Sequence, residues 1–193
     1  MNLQEKLLVW RFNRGDCDAV RLLYEQNKHE LMALAAALVR DQAAAEDVVH
    51  GVFVAFLRLK RFRLTGSLKG YLATCVANAA RNVLRANARH QREPLDEAMP
   101  LEPSPARPDG EAMLGEESRL LGRALGELPY EQREVVMLHV HGGLRFAEIA
   151  ESQNVSVNTV LGRYRYGLEK LRSKLKLIRI CFWRARLYLA LRG

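Results

Sequence analysis

The chain has 193 residues, of which 49% are hydrophobic and 27% charged, with three cysteines and a formal net charge of +8. This composition is typical of a globular protein. The chain has no signal-peptide pattern and no run of about 18 apolar residues, so we expect a cytoplasmic protein without a membrane span. The widely spaced cysteines fit neither a disulfide framework nor a zinc site, and the basic excess favours a polyanionic partner.

Charge is distributed in three blocks along the chain. Residues 1–92 hold 15 basic and eight acidic residues, residues 93–117 hold one and eight, and residues 118–193 hold 14 and six, which gives net charges of +7, −7 and +8. The acidic block also contains five of the six prolines, which remove helix donors and fix the backbone. The sequence therefore predicts two small basic domains joined by a flexible, acidic, proline-rich linker.

Helical periodicity runs through the first basic domain. Asp16 is placed to cap a helix that ends near Arg40, and Asp41 starts a second helix. The segment 63–67 interrupts the pattern, and a third helix follows over residues 68–92. Strand-like alternation is not convincing anywhere, so we expect an all-α fold. The core-facing residues of the first two helices are expected to be Val20, Leu23, Leu31, Leu34, Leu38, Val49, Val52, Phe53, Phe56 and Leu57.

The third helix and the segment before it are depleted of acidic residues. Residues 48–92 contain no Asp or Glu, whereas nine Lys or Arg occur from Arg58 onward. Basic groups beside aromatic rings are typical of single-stranded nucleic-acid sites, where rings stack on bases and cations follow phosphates. The alternative is a solvated basic face with the rings turned into the core, and the sequence leaves both open. The residues concerned are Asn78, Arg81, Asn82, Arg85 and Arg89 on one helical face, with Tyr71 and Phe62 nearby.

Residues 145–172 predict a short helix, a tight turn and a longer basic helix. Asn154 stands where the turn needs a left-handed residue, and Ser156 can cap the second helix. This pattern predicts a helix-turn-helix, whose second helix normally enters the major groove of DNA, although two such helices can also be purely structural. Supporting helices are expected near 116–127 and 131–141. The residues expected inside the helix crossing are Ile149, Ala150, Val155 and Val160.

Two functional classes can be weighed against these features. A free-standing helix-turn-helix repressor or activator binds duplex DNA alone, usually as a dimer. The sequence shows no obvious dimerisation helix. This class of protein would also leave the first basic domain unexplained. An enzyme is disfavoured because no metal-ligand cluster, phosphate-binding glycine loop or nucleophile motif occurs. His139 and His141 are two residues apart on a helix, so they point in different directions.

Three segments, in this order, resemble a bacterial sigma factor of the extracytoplasmic-function (ECF, group IV) class. AAAEDVVHGVFVAFLRL, residues 43–59, looks like the family's core-polymerase-binding helix. GSLKGYLATCVANAARNVLR, residues 66–85, looks like its promoter −10 element, and residues 127–172 look like its −35-binding domain. A helix-turn-helix alone is a common motif, whereas the three segments around an acidic linker form a specific combination.

The resemblance implies a promoter-specificity subunit of RNA polymerase that performs no chemistry of its own. Such proteins bind core RNA polymerase, direct it to promoters through the duplex −35 and melted −10 elements, and help to open the DNA. The resemblance implies no catalytic residue, metal ion, cofactor or small-molecule substrate. A dedicated anti-sigma factor is a common further partner in the family.

The resemblance also implies roles for particular residues. Those at the core-polymerase contact, divided between that contact and the internal core, would be Asp47, Val48, Phe53 and Phe56. The loop 62–69 would accept a base flipped from the −10 region. The −10 residues would be Phe62, Ser67, Lys69, Tyr71, Asn78, Arg81, Asn82 and Arg85. The −35 residues would be Ser156, Asn158, Thr159, Arg163, Arg165 and Lys170.

The same resemblance sets domain boundaries. A region-two-like domain is expected over residues 1–92, the linker over 93–115 and a region-four-like domain over 116–176. Residues 177–193 run past the family's usual end as a basic amphipathic extension. We expect either an extra helix packed on the second domain or a segment that contacts membrane lipids or a regulatory protein.

Several residues depart from the family pattern. Tyr71 stands where a Trp is usual, Asn82 where an Asp is common, and His50 where a Gln is usual. In the second helix of the helix-turn-helix, Leu161–Gly162 replaces a typical Lys-Ser pair, and Tyr164 replaces a Leu. These differences concern which promoter sequence is recognised rather than the general function.

Overall fold

This computed structural model describes residues 3–59, 62, 66–90 and 112–175. Every element in these residues is an α-helix, and the helices form two compact units, α1 to α4 and α5 to α8. The helices are α1 (Leu3–Asn13), α2 (Cys17–Val39), α3 (Gln42–Leu57), α4 (Leu68–His90), α5 (Ala112–Gly126), α6 (Tyr130–Val140), α7 (Phe146–Gln153) and α8 (Val157–Leu175). The predicted all-α, two-unit fold is confirmed. Most of the predicted linker and the whole extension 177–193 lie outside the described residues.

Local capping sets the helix ends of the first unit. The Asp16 carboxylate accepts hydrogen bonds from the backbone N–H groups of Asp18 and Ala19, which have no partner inside α2. Asp41 caps α3 in the same way, by accepting from Ala44 N at 2.6 Å. The sequence predicted Asp16 as a cap and Asp41 as the start of α3. Both caps are local interactions, so the residue type at each position identifies them.

The core of the first unit is formed by apolar residues that recur along α2, α3 and α4. The fully buried side chains include Leu23, Leu31, Leu34, Leu38, Val49, Leu72 and Val76. Two predictions differ from the structure. Val20 is only half-buried, and Leu57, in the last turn of α3, is 48% exposed because the helix ends there and its side chain faces solvent.

Helix α1 was not predicted. Leu8, Val9 and Phe12 are buried, whereas Leu7 and Trp10 are more than half exposed. Because apolar residues lie on both faces of this helix, its sequence shows no clear amphipathic stripe.

In the second unit, α7 and α8 form the predicted helix-turn-helix. Asn154 ends α7 with φ of 53° and ψ of 48°, the left-handed conformation that the turn requires. Ile149 and Val160 are fully buried at the crossing, Ala150 is 4% exposed, and Val155 is half-buried. Helix α5 begins at Ala112, before the predicted start near residue 116. None of the described helices combines the length and apolarity that a bilayer crossing needs.

Two arginines end helices in opposite conformations, which yields a paired prediction. Arg40 is left-handed (φ 66°), whereas Arg58 is right-handed (φ −77°). We expect Arg40→Gly to raise the free energy of unfolding by about 0.5–1 kcal/mol, because glycine adopts the left-handed region without steric cost. Arg58→Gly should lower it by about 0.5–1 kcal/mol, because the glycine gains nothing and loses more entropy on folding. Urea denaturation followed by circular dichroism measures both; shifts of the same sign would contradict the prediction.

Candidate nucleic-acid interfaces

Helix α4 has one buried and one polar face. Its buried face carries small residues, including Ala73, Ala77 and Ala80, each at most 2% exposed. The polar side chains predicted to share a face lie on the other side: Asn78, Asn82, Arg85 and Arg89 are exposed and Arg81 is half-exposed. The Arg81 Nη1 donates to Asn78 Oδ1 at 3.1 Å. We call Asn78, Arg81, Asn82, Arg85 and Arg89 the α4 polar face.

The start of α4 carries an aromatic cluster, consisting of Phe12, Phe56, Phe62 and Tyr71. The rings of Phe12 and Phe56 stack at 4.6 Å, Phe56 meets Phe62 edge-on at 5.1 Å, and Phe62 meets Tyr71 at 4.8 Å. Phe62 is 8% exposed, whereas Tyr71 is 38% exposed. Phe62 therefore belongs to the core, as the second alternative expected, whereas Tyr71 reaches the surface.

Partial burial raises the pKa of the Tyr71 hydroxyl above its ordinary value, and a hydrogen bond with the Cys75 thiol is a smaller cause. Cys75 is a free thiol one turn further along α4. Because the shift is upward, the phenol stays protonated at neutral pH. Tyr71 therefore presents an uncharged ring beside a basic face.

Phe62 is fixed through its backbone by a side chain that the sequence analysis missed. Asn13 Oδ1 accepts from Phe62 N at 2.8 Å, and Asn13 Nδ2 donates to Phe62 O at 2.9 Å. These bonds satisfy both backbone polar groups of Phe62. The two residues are 49 positions apart and no local pattern links them, so the sequence carried no signal for this pair.

The other two predicted residues at the start of α4 lie close to Tyr71 in the chain. Ser67 is exposed, and its Oγ accepts weakly from Gly70 N at 3.4 Å. Lys69 is half-buried, with its Nζ 3.9 Å from the Glu30 carboxylate. Residues 63–65 of the predicted base-accepting loop lie outside the described residues.

The four residues that the resemblance assigned to the core-polymerase contact differ in exposure. Val48, Phe53 and Phe56 are 3–5% exposed, whereas Asp47 is exposed. The Phe53 ring packs edge-on against Tyr24 at 4.8 Å. In this chain, Asp47 is the one of the four that reaches solvent.

The N-terminus of α8 is capped as predicted. Ser156 Oγ accepts from Thr159 N at 3.1 Å, and the two hydroxyl oxygens lie 2.9 Å apart. Asn158 is exposed, as are Arg165 and Lys170 further along the helix. The Arg165 guanidinium lies 5.4 Å from the Tyr166 ring centroid.

Arg163 is held within the protein. Its Nη1 donates to Gln153 Oε1 at 2.9 Å, and Gln153 Nε2 donates to Glu134 Oε2 at 3.0 Å. Glu134 is only 3% exposed, so these bonds link α6, α7 and α8 at a buried carboxylate. We call Glu134, Gln153 and Arg163 the α8 brace. Arg163 was predicted as a DNA contact, and its two partners were not predicted.

Metal binding finds no support in the described part of the chain. Within it, no group of three or more His, Cys, Asp or Glu side chains could hold a metal ion.

Comparison with known proteins identifies the family. The model of Sigma-70 region 2 matches residues 23–90, and the model of Sigma-70 region 4 matches residues 118–171. The RNA polymerase sigma factor CarQ of Myxococcus xanthus is 32% identical over 86% of this chain and 94% of CarQ. The chain belongs to the ECF sigma factors. The ECF RNA polymerase sigma-E factor of Escherichia coli K12 is 29% identical over 90% of this chain and 95% of its own length.

Solved structures show the same fold. The sigma factor RpoE of Bartonella quintana, solved with the anti-sigma factor NepR, matches with a TM-score of 0.63 and 22% identity, over 82% of this chain and 98% of RpoE. CnrH, solved with the cytosolic domain of CnrY, matches with a TM-score of 0.61 and 22% identity, over 89% of this chain and 97% of CnrH.

Membership of this family establishes the general function. As an ECF sigma factor, the chain binds core RNA polymerase, directs it to specific promoters and promotes DNA melting for transcription initiation. The free-standing repressor or activator is set aside because the region 2 match accounts for the first unit.

The bonds between Asn13 and Phe62 yield a stability prediction. Asn13→Ala should lower the free energy of unfolding of the first unit by about 1–3 kcal/mol, because it leaves two backbone groups of Phe62 without partners. Asn87→Ala, on the exposed side of α4, is the matched control and should change it by less than about 0.5 kcal/mol. Urea denaturation followed by circular dichroism distinguishes them. Equal effects of the two variants would show that the bonds to Phe62 contribute nothing.

Proposed function

We propose that the two units of this sigma factor divide promoter recognition, with the α4 polar face and Tyr71 on melted −10 DNA and the N-terminal half of α8 on duplex −35 DNA. The main support for the −10 assignment is the exposed Tyr71 ring. It packs against buried aromatic rings at one end of the α4 polar face. A base can stack on such a ring while the neighbouring cations follow the phosphates. The domains would be residues 1–92 and 116–176.

In this assignment, Phe62 is a positioning residue. Its ring is buried between Phe56 and Tyr71, so it packs against the Tyr71 ring from the side of the core. Ser67 and Lys69 would contact the strand next to Tyr71. Flipping a base out of the duplex costs a few kcal/mol, which stacking on Tyr71 and hydrogen bonds from the loop 62–69 would offset.

In the second unit, base reading and phosphate contact would fall to different residues. Asn158 is exposed in the first turn of α8, where helix-turn-helix proteins reach base edges, together with Ser156 and Thr159. Arg165 and Lys170 would neutralise phosphates. Arg163 would serve both purposes: it braces α8, and its remaining N–H groups are donors for DNA.

The polymerase contact would be made by the exposed side of α3, with Asp47 as a contact residue and Val48, Phe53 and Phe56 shaping the helix from inside. As an initiation factor in a complex with polymerase, the chain would act without catalysis of its own and in the cytoplasm. RpoE and CnrH were solved with NepR and CnrY, and a comparable anti-sigma partner is proposed for this chain.

Substitutions at Tyr71 test the −10 assignment. Tyr71→Ala should weaken binding of holoenzyme to a single-stranded −10 oligonucleotide by about 1–3 kcal/mol, because it removes a stacking surface. Tyr71→Phe and Tyr71→Trp keep an aromatic ring and should bind like the wild type or tighter. Fluorescence anisotropy gives the affinities, and binding to duplex −35 DNA controls for folding. Wild-type affinity of Tyr71→Ala for the oligonucleotide would refute the role of the ring.

Two variants on α8 separate base reading from phosphate contact. Asn158→Ala should reduce the free energy of binding to −35 DNA by about 1–3 kcal/mol. It should also relax the preference for one base at a single position of the element. Arg165→Ala should weaken binding to all promoters alike. It should also reduce the slope of log affinity against log salt concentration by about one. Anisotropy titrations with singly substituted −35 duplexes at several salt concentrations measure both. Each variant is the control for the other. A loss of base preference in Arg165→Ala, together with a changed salt dependence in Asn158→Ala, would overturn the proposed roles of the two residues.

A further inference from the structure

The first two turns of α8 carry an exposed apolar pair. Val157 is 42% exposed and Leu161 is 41% exposed. They are four residues apart, so their side chains are neighbours on the helix surface. We call Val157 and Leu161 the apolar ridge. The buried residues of α8, such as Val160 and Tyr164, already pack against the rest of the unit, so the ridge is not needed for the core.

Gly162, next to the ridge, has no internal packing reason to be a glycine. A Cβ added at Gly162 would meet no atom within 4 Å, whereas one added at Gly167 would come within 3.1 Å of Val136 Cγ2. Glycine weakens a helix interior relative to alanine. The close approach of α6 therefore explains Gly167, whereas no contact within the second unit requires a glycine at position 162.

Polar side chains in these turns are partly committed to the protein. The Ser156 and Thr159 hydroxyls lie within hydrogen-bond distance of each other at the cap, and Arg163 donates to Gln153. The apolar ridge is therefore exposed at the start of α8 beside Ser156, Asn158 and Thr159.

The charge of α8 indicates the class of molecule that covers the ridge. Residues 157–175 contain five basic residues and one acidic residue, a net charge of +4. This charge fits a polyanion. The major groove of DNA offers one apolar group on its base edges, the 5-methyl group of thymine.

We propose that Val157 and Leu161 read thymine methyl groups in the −35 element, and that Gly162 allows the backbone of α8 to approach the base edges closely enough for this contact. The inference rests on the proposed −35 role of α8 and adds the chemistry of its specificity. It assigns a function to two positions, Leu161 and Gly162, that the packing of the second unit does not account for.

Deoxyuridine substitution tests the inference, because it removes only the 5-methyl group. Holoenzyme assembled from the full chain and core polymerase is titrated with promoter duplexes in which each −35 thymine is replaced singly. Wild-type affinity should fall about fourfold at one or two adjacent positions, the effect of burying one methyl group. Leu161→Ala should lose about fourfold on the thymine duplex and no longer distinguish it from the deoxyuridine duplex. Leu22→Ala, which truncates a leucine of 39% exposure on α2, should keep the full discrimination.

Three results would overturn the inference. The first is equal wild-type binding of thymine and deoxyuridine at every −35 position, and the second is a Leu161→Ala variant that still discriminates. The third is a Leu161→Ala variant that binds the thymine and deoxyuridine duplexes with equally reduced affinity, while the wild type binds both duplexes alike. The ridge would then contact a protein rather than DNA. If the proposed −35 role itself fails, a duplex with a scrambled −35 element will bind as well as the intact promoter.

Gly162→Ala gives an independent readout. The added methyl group enters open space, so the melting temperature should stay the same or rise. Promoter affinity should nevertheless fall, because the methyl group would stand between α8 and the base edges. Unchanged promoter affinity in a folded Gly162→Ala variant would refute the close approach.

Discussion

The contact between the Phe62 and Tyr71 rings is the interaction on which the proposed −10 site depends. Phe12, Phe56, Phe62 and Tyr71 form a continuous series of ring contacts that joins α1, α3 and α4. Asn13 fixes the backbone of Phe62 within this series. Tyr71 lies in the first turn of α4, and its ring packs against Phe62 where the helix reaches the surface. In the proposed −10 site, this packing would lower the entropy lost when a base stacks on Tyr71, because a rigid ring has little freedom to lose.

The second unit relies on a different constraint, the buried polar bonds of the α8 brace. Glu134 is almost fully buried, and the amide of Gln153 links its carboxylate to Arg163. Charge-assisted hydrogen bonds of this kind are directional, so they fix the rotation of α8 as well as its distance from α6. The rotation of α8 decides which side chains face outward. The brace therefore acts with the buried residues of α8, such as Val160 and Leu171, to set which side of the helix is exposed.

The fold was predictable where local chemistry determines it. Asp16, Asp41 and Ser156 cap helices through neighbours two or three residues away, and Asn154 supplies the left-handed turn residue. Interactions between distant residues were not predictable: Asn13 with Phe62, and Gln153 with Glu134. The exposure of Leu57 depends on where α3 ends, and α1 has apolar residues on both faces. For the site, the sequence indicated which residues cluster, but only the tertiary contacts separate Tyr71 from Phe62 and tie Arg163 to Gln153.

Promoter opening by reconstituted polymerase tests the central claim most directly, namely that this chain supplies promoter recognition and melting. Purified core polymerase is incubated with promoter DNA with and without the chain, and unpaired thymines are detected by their reactivity with permanganate. The account predicts reactive thymines in the −10 region only when both core polymerase and the chain are present, followed by a discrete run-off transcript. Tight binding of the chain alone to duplex DNA, with no core association and no reactive thymines, would contradict it.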